Sequence, residues 1–152
     1  PTASLRSWKP KMPTYLPDSN VLLALTFEAH QHHTVAAEWI EHGSDCRVCR
    51  VTQTGFLRLA TNPVLFGDES LTLSQAWNVY DTMMEDDRFS FCSEPLGLEH
   101  LWRRLTNVQS YSPKVWMDRY LAAFAIADSL TLVTLDGAFS SVSGLSVEVL
   151  TG

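Results

Sequence analysis

The sequence predicts an α/β fold: a single-domain, three-layer α/β/α sandwich around a central, mostly parallel sheet. Three observations lead there. Short apolar runs alternate with longer stretches of helical spacing, the pattern of strands joined by crossover helices. The clearest buried strand, Thr131-Leu132-Val133-Thr134-Leu135, ends at an Asp-Gly pair that breaks it cleanly. The 152 residues are 45% hydrophobic, enough for one core without disulfide or metal staples.

Thr14-Tyr15-Leu16-Pro17 is short and apolar and reads as a first strand ending at Asp18. Pro17 is tolerable at a strand's final position. Residues 20–26 suit a short helix. Thr34 to His42 forms a second, with Val35, Ala36, Trp39 and Ile40 at helical spacing, ended by Gly43-Ser44-Asp45. Residues 46–50 suit a strand. Thr52 can cap the next helix, whose apolar face is Phe56, Leu57 and Ala60, and Asn62-Pro63 stops it. Thr72 to Glu85 is a further helix, apolar at Leu73, Ala76, Trp77, Tyr80 and Met84. Arg88 to Cys92 is a strand and Leu98 to Thr106 a helix. Ser112-Pro113 is a start signal, serine at the cap and proline at the first helical position, for a helix to about Ala127. Residues 146–150 alternate and close the sheet as an edge strand. Residues 1–12 are set apart as a leader or vector-derived extension, leaving 13–152 as the domain.

Composition narrows the function. The formal charge is −6. Arg6, Lys9 and Lys11 lie in the leader, so residues 13–152 carry eight basic against seventeen acidic residues, a net −9. That excludes nucleic-acid binding by bulk counterion release and instead favours bound cations, a few placed Arg or Lys, and a basic protein partner. No apolar run reaches the ~20 residues of a membrane helix. Cys46, Cys49 and Cys92 are an odd number, and the lone C-x-x-C at 46–49 lacks a second pair, so they read as reduced packing cysteines in a cytoplasmic protein. His30-Gln31-His32-His33 lacks a partner at zinc spacing and reads as a helix start.

Two acids stand out by position: Asp18 after the first strand and Asp136 after the most hydrophobic one. Clefts in open α/β sheets lie beyond the carboxyl ends of strands. Two carboxylates there repel unless a cation lies between them, and hard oxygen donors suit Mg²⁺ or Mn²⁺. Asp118 lies in the first two turns of its helix, with Leu121, Ala122 and Ala125 turned to the core. Each acid alone is as readily a turn former or helix cap.

Five blocks, in order, resemble the PIN domains and within them the VapC-type toxins of bacterial toxin–antitoxin pairs. Asp18-Ser19-Asn20-Val21-Leu22 is similar to the family's D-x-N-x-L opening, and His33, Ala37 and Trp39 to its second helix. Thr52-Gln53-Thr54-Gly55-Phe56-Leu57-Arg58 resembles T-E-x-G-F-L-R. Asp118-Arg119-Tyr120-Leu121-Ala122-Ala123-Phe124-Ala125 resembles D-A-Y-L-A-A-F-A, and Thr134-Leu135-Asp136-Gly137-Ala138-Phe139 resembles T-x-D-x-x-F. The resemblance implies a metal-dependent endoribonuclease. Asp18, Asp118 and Asp136 would hold Mg²⁺ or Mn²⁺, Asn20 and Thr134 would orient carboxylates, and Arg58 and Arg119 are candidates for RNA-phosphate contacts. It also implies hydrolysis by metal-activated water, a small antitoxin partner and a homodimer. Gln53 stands where the family has glutamate, which removes one negative charge and leaves Oε1 as the only donor. That departure keeps a second reading open, a weakened PIN domain that binds RNA or antitoxin without efficient cleavage. A HAD-type phosphatase does not fit, because Asp18 is followed by Ser19-Asn20 and not by a D-x-D. A structure-specific DNA nuclease needs more acids and a helical arch.

Overall fold

A computed structural model describes residues 12–43 and 45–151. Apart from the exposed Met12, the proposed leader lies outside the described residues. Five strands, β1 (Tyr15–Pro17), β2 (Cys46–Val48), β3 (Phe89–Phe91), β4 (Thr131–Thr134) and β5 (Val147–Val149), form one sheet in the order β3-β2-β1-β4-β5. Every pairing is parallel. Seven α-helices are described: α1 (Ser19–Thr26), α2 (His33–His42), α3 (Arg50–Ala60), α4 (Pro63–Phe66), α5 (Leu73–Met84), α6 (Leu98–Leu105) and α7 (Lys114–Ala127).

Alternation of side chains along the strands explains the three layers. On β1 and β4, Tyr15 and Val133 face a core built with α1, α2, α3 and α5, including Val21, Trp39, Phe56 and Tyr80. Leu16 and Leu132 face the other core, with α6 and α7, including Leu98, Tyr120 and Phe124. Cys46 and Cys49 are buried, and burial pushes the Cys46 thiol up to about 12, as expected of packing cysteines.

The element boundaries differ from the sequence reading at three caps. α3 begins at Arg50, with Cys49 at its cap; Thr52 lies one turn in, and its Oγ1 accepts from the Cys49 N–H at 3.0 Å. α7 begins at Lys114, with Pro113 at the cap and no side-chain bond from Ser112. Asn62-Pro63 both stops α3 and starts α4, because Asn62 Oδ1 accepts from the Val64 N–H.

The strand order places a topological switch point between β1 and β4. From β1 the chain moves outward through β2 to β3, then returns to the other side of β1 for β4. Helices leaving these two neighbouring strands diverge, which opens a crevice at their carboxyl ends. The residues just past those ends are Asp18 and Asp136.

Candidate active site

Asp18 extends the β1–β4 ladder by one bond, its N–H donating to the Val133 carbonyl at 2.9 Å. Its side chain then caps α1: Oδ1 accepts from the Val21 N–H at 3.0 Å. Oδ2 accepts from Thr134 Oγ1 at 2.6 Å. Thr134 is completely buried, and its hydroxyl also accepts from the Asp136 N–H at 3.0 Å. One hydroxyl thus ties the two strand-end acids together. Asp136 in turn caps the 3-10 turn Gly137–Ser141, its Oδ1 accepting from the Ala138 N–H at 2.9 Å. Both acids are helix caps, so the structural reading of each is correct. It leaves carboxylate lone pairs to spare.

The third acid arrives on α7. Asp18, Asp118 and Asp136 line one cleft of about 390 Å³, with Asn20, Arg50, Arg58 and Lys114 among its other walls. Lys114 Nζ donates to Asp136 Oδ2 at 2.5 Å and sits 3.4 Å from Asp118 Oδ2. One ammonium therefore spans two of the three carboxylates. Among the described residues no three His, Cys, Asp or Glu side chains are close enough to stand as a ready-made metal cage. The cleft supplies the donor types, with Lys114 where a cation is needed.

Electrostatics divide the acids. Burial raises the Asp18 pKa above the ordinary carboxylate value, and the charges of Asp118 and Asp136 add to it; the Thr134 and Val21 hydrogen bonds oppose. Asp136 is shifted down, first by Lys114 and then by the Ala138 N–H. Lys114 is raised, first by its bond to Asp136 and then by Asp118. Asp18 is buried and, among the described residues, has hydrogen-bond donors but no cation partner.

Other candidates fall in different places. Gln53 is buried but is not among the residues lining the acid cleft: its Oε1 accepts from Arg50 Nη1 at 2.6 Å, and it faces the Tyr80 phenol. Arg58 lines the cleft. The Arg119 guanidinium is instead spent on the fold, Nη1 donating to the Leu105 carbonyl at the end of α6. His33 opens α2 and its Nδ1–H bonds the Ala24 carbonyl at 2.7 Å, which ties α2 to the end of α1. His30 and His32 line a depression beside Asp18 and Asp136. Lys114 and Arg50 are the site residues the sequence reading missed. For Lys114 the signal was present: it lies four residues before Asp118 and so shares its helix face.

Comparison with known proteins agrees with this architecture. The PIN domain family model matches residues 15–145. Ribonuclease VapC41 of Mycobacterium tuberculosis is 41% identical over 140 residues, covering 88% of this chain and 96% of the relative. Among solved structures, VapBC2 from Rickettsia felis bound to a promoter DNA fragment superposes with a TM-score of 0.64 at 14% identity, covering 91% of this chain and 99% of that one. VapC20 of Mycobacterium tuberculosis, a sarcin–ricin-loop-cleaving toxin, gives 0.61 at 14% identity, with 84% and 94% covered. FitAcB from Neisseria gonorrhoeae gives 0.57 at 19% identity, with 88% and 96% covered. The chain belongs to the PIN-domain family and, within it, to the VapC-type ribonuclease toxins of toxin–antitoxin systems.

Proposed function

We propose that this chain is a Mg²⁺- or Mn²⁺-dependent endoribonuclease whose Asp18, Asp118 and Asp136 hold the metal. The observation that carries the reading is the convergence of three carboxylates, from the ends of β1 and β4 and from α7, on one cleft where a single lysine bridges two of them. Three hard oxygen donors fit Mg²⁺ or Mn²⁺. When bound, the metal would lower the pKa of an attacking water and neutralise charge developing on phosphorus. The chain's own groups do the rest. Thr134 fixes the Asp18 carboxylate and Asn20 borders it. Arg58 and Arg50 line the same cleft as cations for the flanking phosphates, and Lys114 is free to meet a phosphate once a metal takes its carboxylates.

The test is cleavage of RNA with Mn²⁺, Mg²⁺ or EDTA, comparing wild type with Asp18→Asn and Asp118→Asn. Cleavage restricted to wild type plus metal is expected; equal activity of wild type and variants would sink the proposal. One observation favours a second reading, a PIN domain that binds without efficient cleavage. Gln53 replaces the family's glutamate and is turned to Arg50 and Tyr80. A wild type that stays silent with metal while still binding RNA or its partner would select it.

The toxin role further proposes a small antitoxin, whose basic or amphipathic segment suits the net −9 of residues 13–152, and a homodimer in the free state. The solved neighbours include VapBC and FitAB structures bound to DNA, which supports a protein partner of that kind. Co-expression with the adjacent reading frame should relieve growth arrest and yield a complex; a harmless chain that takes no partner would remove the toxin role.

A further inference from the structure

Charge is distributed very unevenly over this acidic domain. Residues 98–127, the α6–α7 hairpin, hold Arg103, Arg104, Lys114 and Arg119 against Glu99 and Asp118, a net +2. The remainder of 13–152 holds four basic and fifteen acidic residues, a net −11. The same hairpin exposes aromatic rings. Trp116 is 58% exposed and Tyr111 fully so. Trp102 packs edge-on against Trp116 and Tyr120, and its Nε1–H donates to the Trp116 carbonyl at 2.9 Å, so the Trp116 platform is held rigid. Two grooves meet at Trp116: one lined by His100, Arg103 and Arg104, the other by Val108, Tyr111 and Pro113. The next residues along α7, Met117 and Asp118, line the acid cleft, so Trp116 is the chain neighbour of a cleft wall.

We propose that the α6–α7 hairpin is the docking surface for unpaired RNA flanking the scissile phosphate, its bases stacking on Tyr111 and Trp116 and its phosphates on Arg103 and Arg104. Stacking rings interleaved with cations are how proteins bind single strands without reading sequence, whereas a duplex hides its base faces. Outside the hairpin the net −11 disfavours a polyanion, apart from the Arg50 and Arg58 wall of the acid cleft. Among the described residues the Arg103 guanidinium is engaged only with Glu99, through side chains more than two-thirds exposed, a pair weak enough for phosphate to displace. Arg104 has no carboxylate partner among the described residues. The inference rests on the ribonuclease reading for its substrate, but its test does not need turnover.

Fluorescence anisotropy in EDTA would measure binding of 5′-labelled U12 and A12 oligoribonucleotides and of a 12-base-pair RNA duplex, across a salt series. Wild type should prefer the single strands. The double variant Arg103→Glu/Arg104→Glu should bind at least ten-fold more weakly, with a salt slope shallower by about 1–1.5. Tyr111→Ala and Trp116→Ala should each weaken binding on the order of ten-fold while leaving the salt slope intact. Arg47→Gln, on β2, should bind as wild type does. Equal binding by wild type and hairpin variants overturns the proposal. So does duplex preference, or no binding by wild type at all. Light scattering on each variant supplies the remaining arm: weakened binding that accompanies dissociation of a dimer assigns the surface to a second copy of the chain and overturns RNA docking. Metal-dependent cleavage with an unchanged KM in the hairpin variants would remove the docking surface and keep the nuclease. Hairpin-dependent binding with no cleavage would do the reverse.

Discussion

Replacing Gly55 with alanine would place a Cβ 2.1 Å from Ser19 Oγ and 2.8 Å from Ser19 Cβ. Real Cβ atoms do not approach so closely, and the obstruction is the first residue of α1, held by its own bond from Ser19 Oγ to the Thr52 carbonyl at 3.1 Å. Helices α1 and α3 meet here because residue 55 has no side chain. Overpacking of this kind costs about 1–3 kcal/mol, and a displaced Ser19 hydroxyl loses a hydrogen bond worth about 1 kcal/mol. Alanine returns about 1 kcal/mol through its higher helix propensity. The net loss is about 2 kcal/mol, or roughly 4–8 °C in Tm for a domain of this size. Urea unfolding followed by circular dichroism, with thermal melts alongside, would measure it. Ser19→Gly/Gly55→Ala restores the space, so a double-mutant cycle should show coupling of about 1–3 kcal/mol. A Gly55→Ala variant as stable as wild type, or a strictly additive cycle, would refute the close-packing argument.

Three further outcomes are expected. Thr134→Val leaves Asp18 Oδ2 and the Asp136 N–H without their shared partner, so it should cost about 2–3 kcal/mol and weaken Mn²⁺ binding by roughly 10–100-fold. Thr134→Ser should restore both, and full-strength calorimetric binding by the valine variant would contradict the role. Because burial raises the Asp18 pKa in the folded state, the native protein holds more protons than the unfolded chain once pH passes the ordinary value of 3.8; stability from this group therefore falls as pH rises through that window. Metal-free wild type should lose stability relative to Asp18→Asn from pH 3.8 toward neutral, and parallel stability–pH curves would rule this out. Lys114→Met removes the ammonium that competes for Asp118 and Asp136, so Mn²⁺ should bind about five-fold more tightly by calorimetry, from a pair worth about 1 kcal/mol; unchanged or weaker binding would contradict competition.

Much of the fold could be read from periodicity. The five strands and the long helices are where their apolar spacing places them, because burial decides both. Caps were less legible. Thr52 and Ser112 carry the hydroxyls that favour a cap, yet Cys49 and Pro113 hold those positions, because the cap falls where the strand or loop before each helix leaves off. The position of Asp18 and Asp136 past strand ends followed from the strand pattern, and their neighbourhood from the strand order. What Gln53 and Arg119 touch did not follow. Gln53 has Arg50 one turn away and Tyr80 on α5 within reach, and Arg119 finds an unsatisfied helix-end carbonyl at Leu105. The Tyr80 and Leu105 contacts depend on helix packing that a single sequence leaves unspecified, whereas Arg50 and Gln53 share a face of α3.

The three acids also differ in what else they hold up. Asp18 and Asp136 each cap the start of a helix or turn, while the side chain of Asp118 has Lys114 as its bonded partner among the described residues. In a selection for survivors of toxin expression, then, lesions at the strand ends would reduce the amount of folded protein. Under the proposed metal site and antitoxin partner, lesions at Asp118 would leave an abundant, well-folded decoy that still occupies the antitoxin, and a cell carrying that allele beside an intact copy would free the intact toxin.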